Sequence, residues 1–432
     1  MRKLLCSLLV VVMAVSLIGC AKNGEGTTTE SATADNEKTV LTFWGHQEES
    51  WNKSYEAIAE QFMKDNPDIE IKLEFFPYDT FESKVQTSLI SKDSGCDIYE
   101  LWGGWGIDFA PTGALAEIPK EMTREILEDT YAPTTGSLEY MGKLYGMPME
   151  FNNESGGMLV NNAILQENNL KIPTSWDELI EEAKKATVSE GDMFAIKGFD
   201  FANWDSVTYL LTSMILSKGG QYLEEDGTVN FNTPEAKNAF EELQKLIVTD
   251  KVTDLEGLTS KSDIEGYQQV FTGTNLFVPR GPWSVADGIS AFHVEYGKEF
   301  DYVAMPWYGD ETAFAAETGW SLAVSNNSKQ KEAAFKFLEY FFQDEVLLQH
   351  NIQCSQIPPK KSIAQSQEFV EKMPYMKPIV SILGNAQYIG HFNTDIMKES
   401  INNAFVDYCT GKIATSEEAL QIAQDKINAS MK

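Results

Sequence analysis

Positive charge is scarce in this chain. Its 34 Lys and Arg stand against 65 Asp and Glu, a formal net charge of −31 over 432 residues. A phosphate backbone is gripped by clustered Lys and Arg, so the deficit argues against a nucleic-acid partner and reads as a solubilising acidic surface. Histidine is scarcer still. His46, His293, His350 and His391 are the only four, and no two lie at metal-ligand spacing. The patterns GxSxG and HExxH are absent. Gly142-Lys143 is followed by Leu144, where a phosphate-binding loop needs Ser or Thr. The signatures of serine hydrolysis, zinc proteolysis and nucleotide cleavage are therefore missing, and neither a metal nor a cofactor is implied. A pair of carboxylates could still hydrolyse a glycoside, which no motif excludes.

Long hydrophobic runs are missing too, with one exception. Residues 4–18 are apolar and follow Arg2 and Lys3. The run is shorter than the ~20 residues of a spanning helix, and it has the layout of a secretory signal. It ends at Leu17-Ile18-Gly19-Cys20, which resembles the bacterial lipobox, whose cysteine is acylated and becomes the first mature residue. Residues 1–19 are thus expected to be a signal peptide and Cys20 a lipidation site. Residues 20–38, rich in Thr, Ser, Gly and Glu and free of aromatics, read as a flexible tether. Each buried methylene contributes about 0.8 kcal/mol, so two or more acyl chains would hold the protein at the extracellular face of the membrane. Cys6 would leave with the signal. Cys96, Cys354 and Cys409 remain, odd in number and without CxxC spacing, as expected of buried thiols with one bridge at most.

What is present is material for large cores, at 43% apolar and 11% aromatic residues. Val40-Leu41-Thr42-Phe43-Trp44 predicts a strand ended by Gly45. Trp51, Tyr55, Ile58, Ala59 and Phe62 share one helical face, and Asn66-Pro67 stops that helix. Ile69, Ile71, Leu73 and Phe75 then alternate with charged residues, as a half-buried strand does. Strand, helix, strand is the unit of an α/β sheet. Ser175-Trp176-Asp177-Glu178 reads as a capping box ahead of a helix near residues 179–186. A helix over 332–342 would bury Phe335, Leu338 and Phe342. Thr415-Ser416-Glu417-Glu418 caps a last helix carrying Leu420, Ala423 and Ile427.

Several of these segments, in this order, resemble the family 1 extracellular solute-binding proteins, relatives of maltose-binding protein. The opening Leu41-Thr42-Phe43-Trp44 and the turn Asn66-Pro67-Asp68-Ile69-Glu70-Ile71 carry the likeness. So do Thr112-Gly113-Ala114-Leu115, Gly142-Lys143-Leu144-Tyr145-Gly146-Met147-Pro148, Ile172-Pro173-Thr174-Ser175-Trp176-Asp177-Glu178-Leu179, Gly281-Pro282-Trp283 and the stretch 329–340. Ser94-Gly95-Cys96-Asp97-Ile98 resembles the family's Gly-x-Pro-Asp-Val turn, with Cys96 in place of proline. Val160-Asn161-Asn162 stands where many relatives have Tyr-Asn-Lys. The resemblance implies an α/β, two-lobed periplasmic-binding-protein-like (type II) fold with an interlobe ligand cleft. One lobe would use 39–150 plus 322–358 and the other 151–321 plus 359–432. It further implies a monomer that hands a sugar or short oligosaccharide to the permease of an ABC importer. A non-sugar solute such as a polyamine, or a secreted glycosidase, are the alternatives; an excess of site carboxylates would favour the polyamine.

A sugar offers apolar C–H faces to flat indoles and hydroxyl edges to carboxylates, amides and Arg. Trp283 leads the candidates, because the matched Gly-Pro-Trp stacks on sugar in the maltose-binding relatives. Trp44, Trp102, Trp105, Trp204 and Trp320 fall at predicted strand ends or loops, where clefts of α/β sheets form. His46 and Glu48 follow the first strand, Glu100 adjoins the Trp102 loop, and Glu150 and Asn152 sit at the first crossing between lobes. Asp205 follows Trp204, and Arg280 precedes Gly-Pro-Trp in an apolar run. Tyr388 and His391 lie in a loop where relatives place an aromatic. Trp51 and Trp176 read as structural.

Overall fold

A computed structural model describes residues 38–91, 95–191, 193–259, 264–392 and 394–431. The expected signal peptide, Cys20 and residues 20–37 lie outside the described residues.

The β-branched and aromatic alternation of the first two strands opens a five-stranded sheet. Its spatial order is Ile69–Phe76, Thr39–His46, Ile98–Leu101, Ser321–Val324 and Met147–Pro148. The first three strands are parallel, and Ser321–Val324 inserts antiparallel between the last two neighbours. The helix Glu49–Asp65 lies on this sheet and buries Trp51, Tyr55, Ile58, Ala59 and Phe62, the face its spacing predicts. Helix Lys331–Phe341 buries Phe337, Leu338 and Phe341 in the same core. Phe342, just past the helix, is buried there as expected, whereas Phe335 is only half-buried.

The second sheet has the order Phe300–Ala304, Gly157–Asn161, Asn275–Pro279, Met193–Phe199 and Val188–Glu190. Helix Trp176–Ala186 packs on it. Ser175 accepts from the Glu178 N–H at 3.3 Å, as a cap should. The Glu178 carboxylate, however, accepts from the Thr174 N–H and hydroxyl, so the expected box closes one residue early. The terminal helix Ser416–Ser430 buries Leu420, Ala423 and Ile427, with Thr415 as its cap. Two mixed sheets, each with its own apolar core, thus form two lobes. No helix among the described residues is long and apolar enough to cross a membrane. Cys96, Cys354 and Cys409 are free thiols, the first two buried.

The chain crosses between the lobes in three segments that meet at Phe151. Phe151 is bridged to both Thr318 and Ile357, and its N–H donates to the Ile357 carbonyl at 2.8 Å. Two residues along each segment, the Met149 N–H donates to the Trp320 carbonyl at 3.0 Å. Close approach is enforced here by glycine. A Cβ on Gly319 would stand 2.5 Å from Glu150 Oε1, and one on Gly103 would stand 1.5 Å from the Thr318 carbonyl oxygen.

Candidate functional site

The carboxyl ends of the strands of both sheets open on one cleft of about 900 Å³. His46 ends the strand Thr39–His46, Trp102 follows Ile98–Leu101, Trp204 and Asp205 follow Met193–Phe199, and Arg280 follows Asn275–Pro279. This is where ligand crevices form in α/β sheets.

One wall is aromatic. The imidazole of His46 lies flat on Trp320, centroids 4.3 Å apart and planes 8° apart. Trp102, Trp51 and Tyr78 meet Trp320 edge-on at 5.2, 6.1 and 6.1 Å. Quadrupoles favour such edge-to-face contacts, so the rings brace one another. Behind the wall, Glu100 accepts from the His46 N–H at 2.7 Å and from the Tyr55 hydroxyl at 2.7 Å, and it meets His46 Nδ1 at 2.8 Å. Trp51 also abuts His350 at 4.9 Å. Burial, and then the neighbouring His46, push the His350 imidazole down to about 3, so it is neutral at physiological pH.

The other wall is mixed. Helix Trp283–Ser290 begins at Trp283, after Pro282 in the cap position. The Trp283 indole N–H donates to Glu154 Oε1 at 3.0 Å, and its ring meets Tyr267 at 5.2 Å. The Arg280 guanidinium lies 4.8 Å from the indole centroid, a cation–π distance. Arg280 also pairs with Glu154 at 3.2 Å and Asp205 at 3.3 Å. Burial raises the Glu154 carboxyl above the usual range, and Arg280 opposes that rise.

Between the walls, Lys398 pairs with Glu317 at 3.1 Å. Glu317 also accepts from the Tyr209 and Thr394 hydroxyls. Burial works against the Lys398 charge, yet Glu317 and then Asp395 hold its ammonium above the ordinary lysine value. At the crossing, Glu150 accepts from the Trp320 N–H at 2.8 Å. The Asn152 Nδ2 is buried and has no partner within the protein.

Of the residues expected from sequence, Trp283, His46, Glu48, Trp102, Glu150, Asn152, Trp204, Asp205, Arg280 and Trp320 border this cleft. Five do not. Trp44 sits two residues back from the strand end, where its ring packs on Phe76 and Tyr99 with the Lys84 ammonium 4.1 Å from its centroid. Glu100 is fully buried behind His46. Trp105 is buried against Phe81 and Trp320. Tyr388 lies in a short strand paired with Phe314–Ala316, its ring so close to Gly136 that a Cβ there would meet it at 2.4 Å. His391 is exposed outside the cleft. Trp51, read as structural, borders the cleft as well as packing in the core. Tyr78, Glu154, Tyr209, Tyr267, Asp287 and Lys398 were not anticipated. Only Glu154 carried a signal, two residues beyond Asn152.

The Glu150 carboxyl makes a measurable prediction. Burial pushes it up to about 8 from 4.5, against the pull of the Trp320 N–H. The folded protein therefore holds a proton that the unfolded chain releases. The associated stability is full below about pH 4.5 and is lost as pH rises through about 8. At about 1.4 kcal/mol per pKa unit, the rise from 4.5 to about 8 makes the loss on the order of 5 kcal/mol. Glu150→Gln keeps an acceptor for Trp320 and removes the titration. Its melting temperature should match the parent near pH 5 and exceed it by several degrees at pH 9. Parallel melting curves across that range would contradict this.

Sequence profiles and known structures agree with this architecture. The profile described as bacterial extracellular solute-binding protein matches residues 45–347, well over half of the chain. The arabinooligosaccharide-binding protein of Halalkalibacterium halodurans is 22% identical over 413 residues, 91% of this chain and 90% of that protein. The maltotriose-binding protein of Pyrococcus abyssi is 24% identical over 353 residues, 79% of this chain and 70% of that one. The maltose-bound MalE3 of T. maritima shares the fold with a TM-score of 0.73 at 23% identity, over 90% of this chain and 99% of that chain. A Thermotoga lettingae solute-binding protein bound with α-D-tagatose has a TM-score of 0.75 at 20% identity, over 91% and 100%. With its two α/β lobes and the cleft at their strand ends, this chain belongs to the bacterial extracellular solute-binding protein family.

Proposed function

We propose that the protein captures a sugar or short oligosaccharide in the interlobe cleft and, as a monomer, delivers it to the permease subunits of an ABC importer. The observation that carries the reading is the pair of tryptophan walls, Trp320 with Trp102 from one core and Trp283 with Tyr267 from another, bordering one cleft with polar groups between. Indole faces would cover sugar C–H faces, while Asn152, Arg280, Glu150 and Asp205 would meet hydroxyl edges. Relatives named for maltotriose and arabinooligosaccharide support the same class. The carboxylates of the cleft favour a second reading, a polyamine.

The lobes, taken as 39–150 plus 322–358 and 151–321 plus 359–432, would close by bending at the crossings near Glu150 and Gly319. A solute drives closure by binding the closed form more tightly. A dye-based melting screen of neutral sugars against polyamines tests the ligand class. Small-angle scattering with a saturating hit should show a smaller radius of gyration. A screen answered by polyamines alone rules out the sugar.

A lipid on Cys20 would hold the domain at the extracellular face of the membrane. Cells fed labelled fatty acid should label the parent protein and not Cys20→Ala; equal labelling would disprove the anchor.

A further inference from the structure

Arg280 and Lys398, the two Lys or Arg residues bordering the cleft among the described residues, are already committed. Arg280 Nη1 lies 3.2 Å from Glu154 and 3.3 Å from Asp205. Lys398 Nζ lies 3.1 Å from Glu317 and 3.6 Å from Asp395. Each cation faces two carboxylates, so an entering anion meets no uncompensated positive charge from either. Glu48 and Asp287 add carboxylates to the same lining. In a partly desolvated cleft these charges are felt more strongly than on an open surface.

A second observation concerns what the cleft asks of its solute. Asn152 Nδ2 and Arg280 Nε are buried donors of cleft-lining residues, with no partner in the protein. Buried donors demand acceptors. Hydroxyl and ring oxygens supply them without bringing negative charge.

We infer that the cleft sorts sugars by charge: it admits neutral sugars and sugars bearing a protonated amine, and it rejects uronic and other acidic sugars. The inference rests on the sugar reading above. Rejection comes from like charges placed together rather than from size.

The test is a melting and calorimetric screen of matched panels on the full domain. One panel holds neutral di- and trisaccharides, one the same skeletons oxidised to uronic acids, one the 2-amino forms, with spermidine beside them. The neutral or amino panel should contain binders, and the uronic counterpart of any binder should be at least about tenfold weaker. A uronic sugar that binds as well as its neutral counterpart overturns the charge rule and leaves the sugar reading intact. Binding of spermidine alone, or of nothing, overturns the sugar reading and this inference with it. Asp205→Asn supplies an independent measurement, since it relieves Arg280 of one of its two carboxylates. The ratio of uronic to neutral affinity should rise several-fold, and an unchanged ratio counts against the inference.

Discussion

Trp283→Ala should lower solute affinity at least tenfold while leaving the ligand-free protein folded. The indole begins a helix, is only half-buried and borders the cleft, with its N–H on Glu154 and Arg280 near its ring. Truncating a central aromatic anchor often removes about 2 kcal/mol or more of binding. A core tryptophan would behave differently, costing about 3–5 kcal/mol of stability. Calorimetry on the variant should show the affinity loss, and the ligand-free melting temperature should stay within a few degrees. Early melting with normal residual affinity would make Trp283 a core residue and remove the centre of the proposed site.

Trp320→Ala should give the opposite balance. Trp320 is 8% exposed and touches five aromatic rings of the first wall at 4.3 to 6.1 Å. Removing it opens a cavity under His46 and withdraws the surface that holds that imidazole flat. A loss of about 3–5 kcal/mol in stability is expected, with weakened solute binding in the fraction that folds. Trp320→Phe should recover part of the melting temperature, because a smaller ring still fills some of the space. If Trp320→Ala melts with the parent protein, the wall is not a packed unit and its rings act singly.

The contrast between these tryptophans shows what a sequence can and cannot disclose. Periodicity was sufficient for the helix Glu49–Asp65, whose five expected residues are all buried. It also placed strand ends, and with them His46, Trp102, Trp204 and Arg280, because clefts fall at carboxyl ends. It could not tell a strand's final residues from those just before them, which is how Trp44 and Glu100 were drawn into the site. Lys398 and Glu317 escaped altogether. They are 81 positions apart, and nothing local marks one carboxylate among 65 as the partner of a buried lysine. Tyr209 completes that group from a helix whose residues are buried all round, so its spacing singles out no face. Trp51 misled in another way: on the first turn of a helix it fills the core and reaches the cleft at once.

The strand Ser321–Val324 has a consequence for how the molecule is made. It is an interior strand of the first sheet, holding Met147–Pro148 to Ile98–Leu101 from some two hundred residues downstream. A chain emerging N-terminus first therefore cannot finish its first sheet until the long stretch between Pro148 and Ser321, which carries every strand of the second sheet, has appeared. Pairings of such long range are slow to form, since loop-closure entropy must be overcome before they stabilise anything. The first core therefore waits on a strand made after every strand of the second sheet.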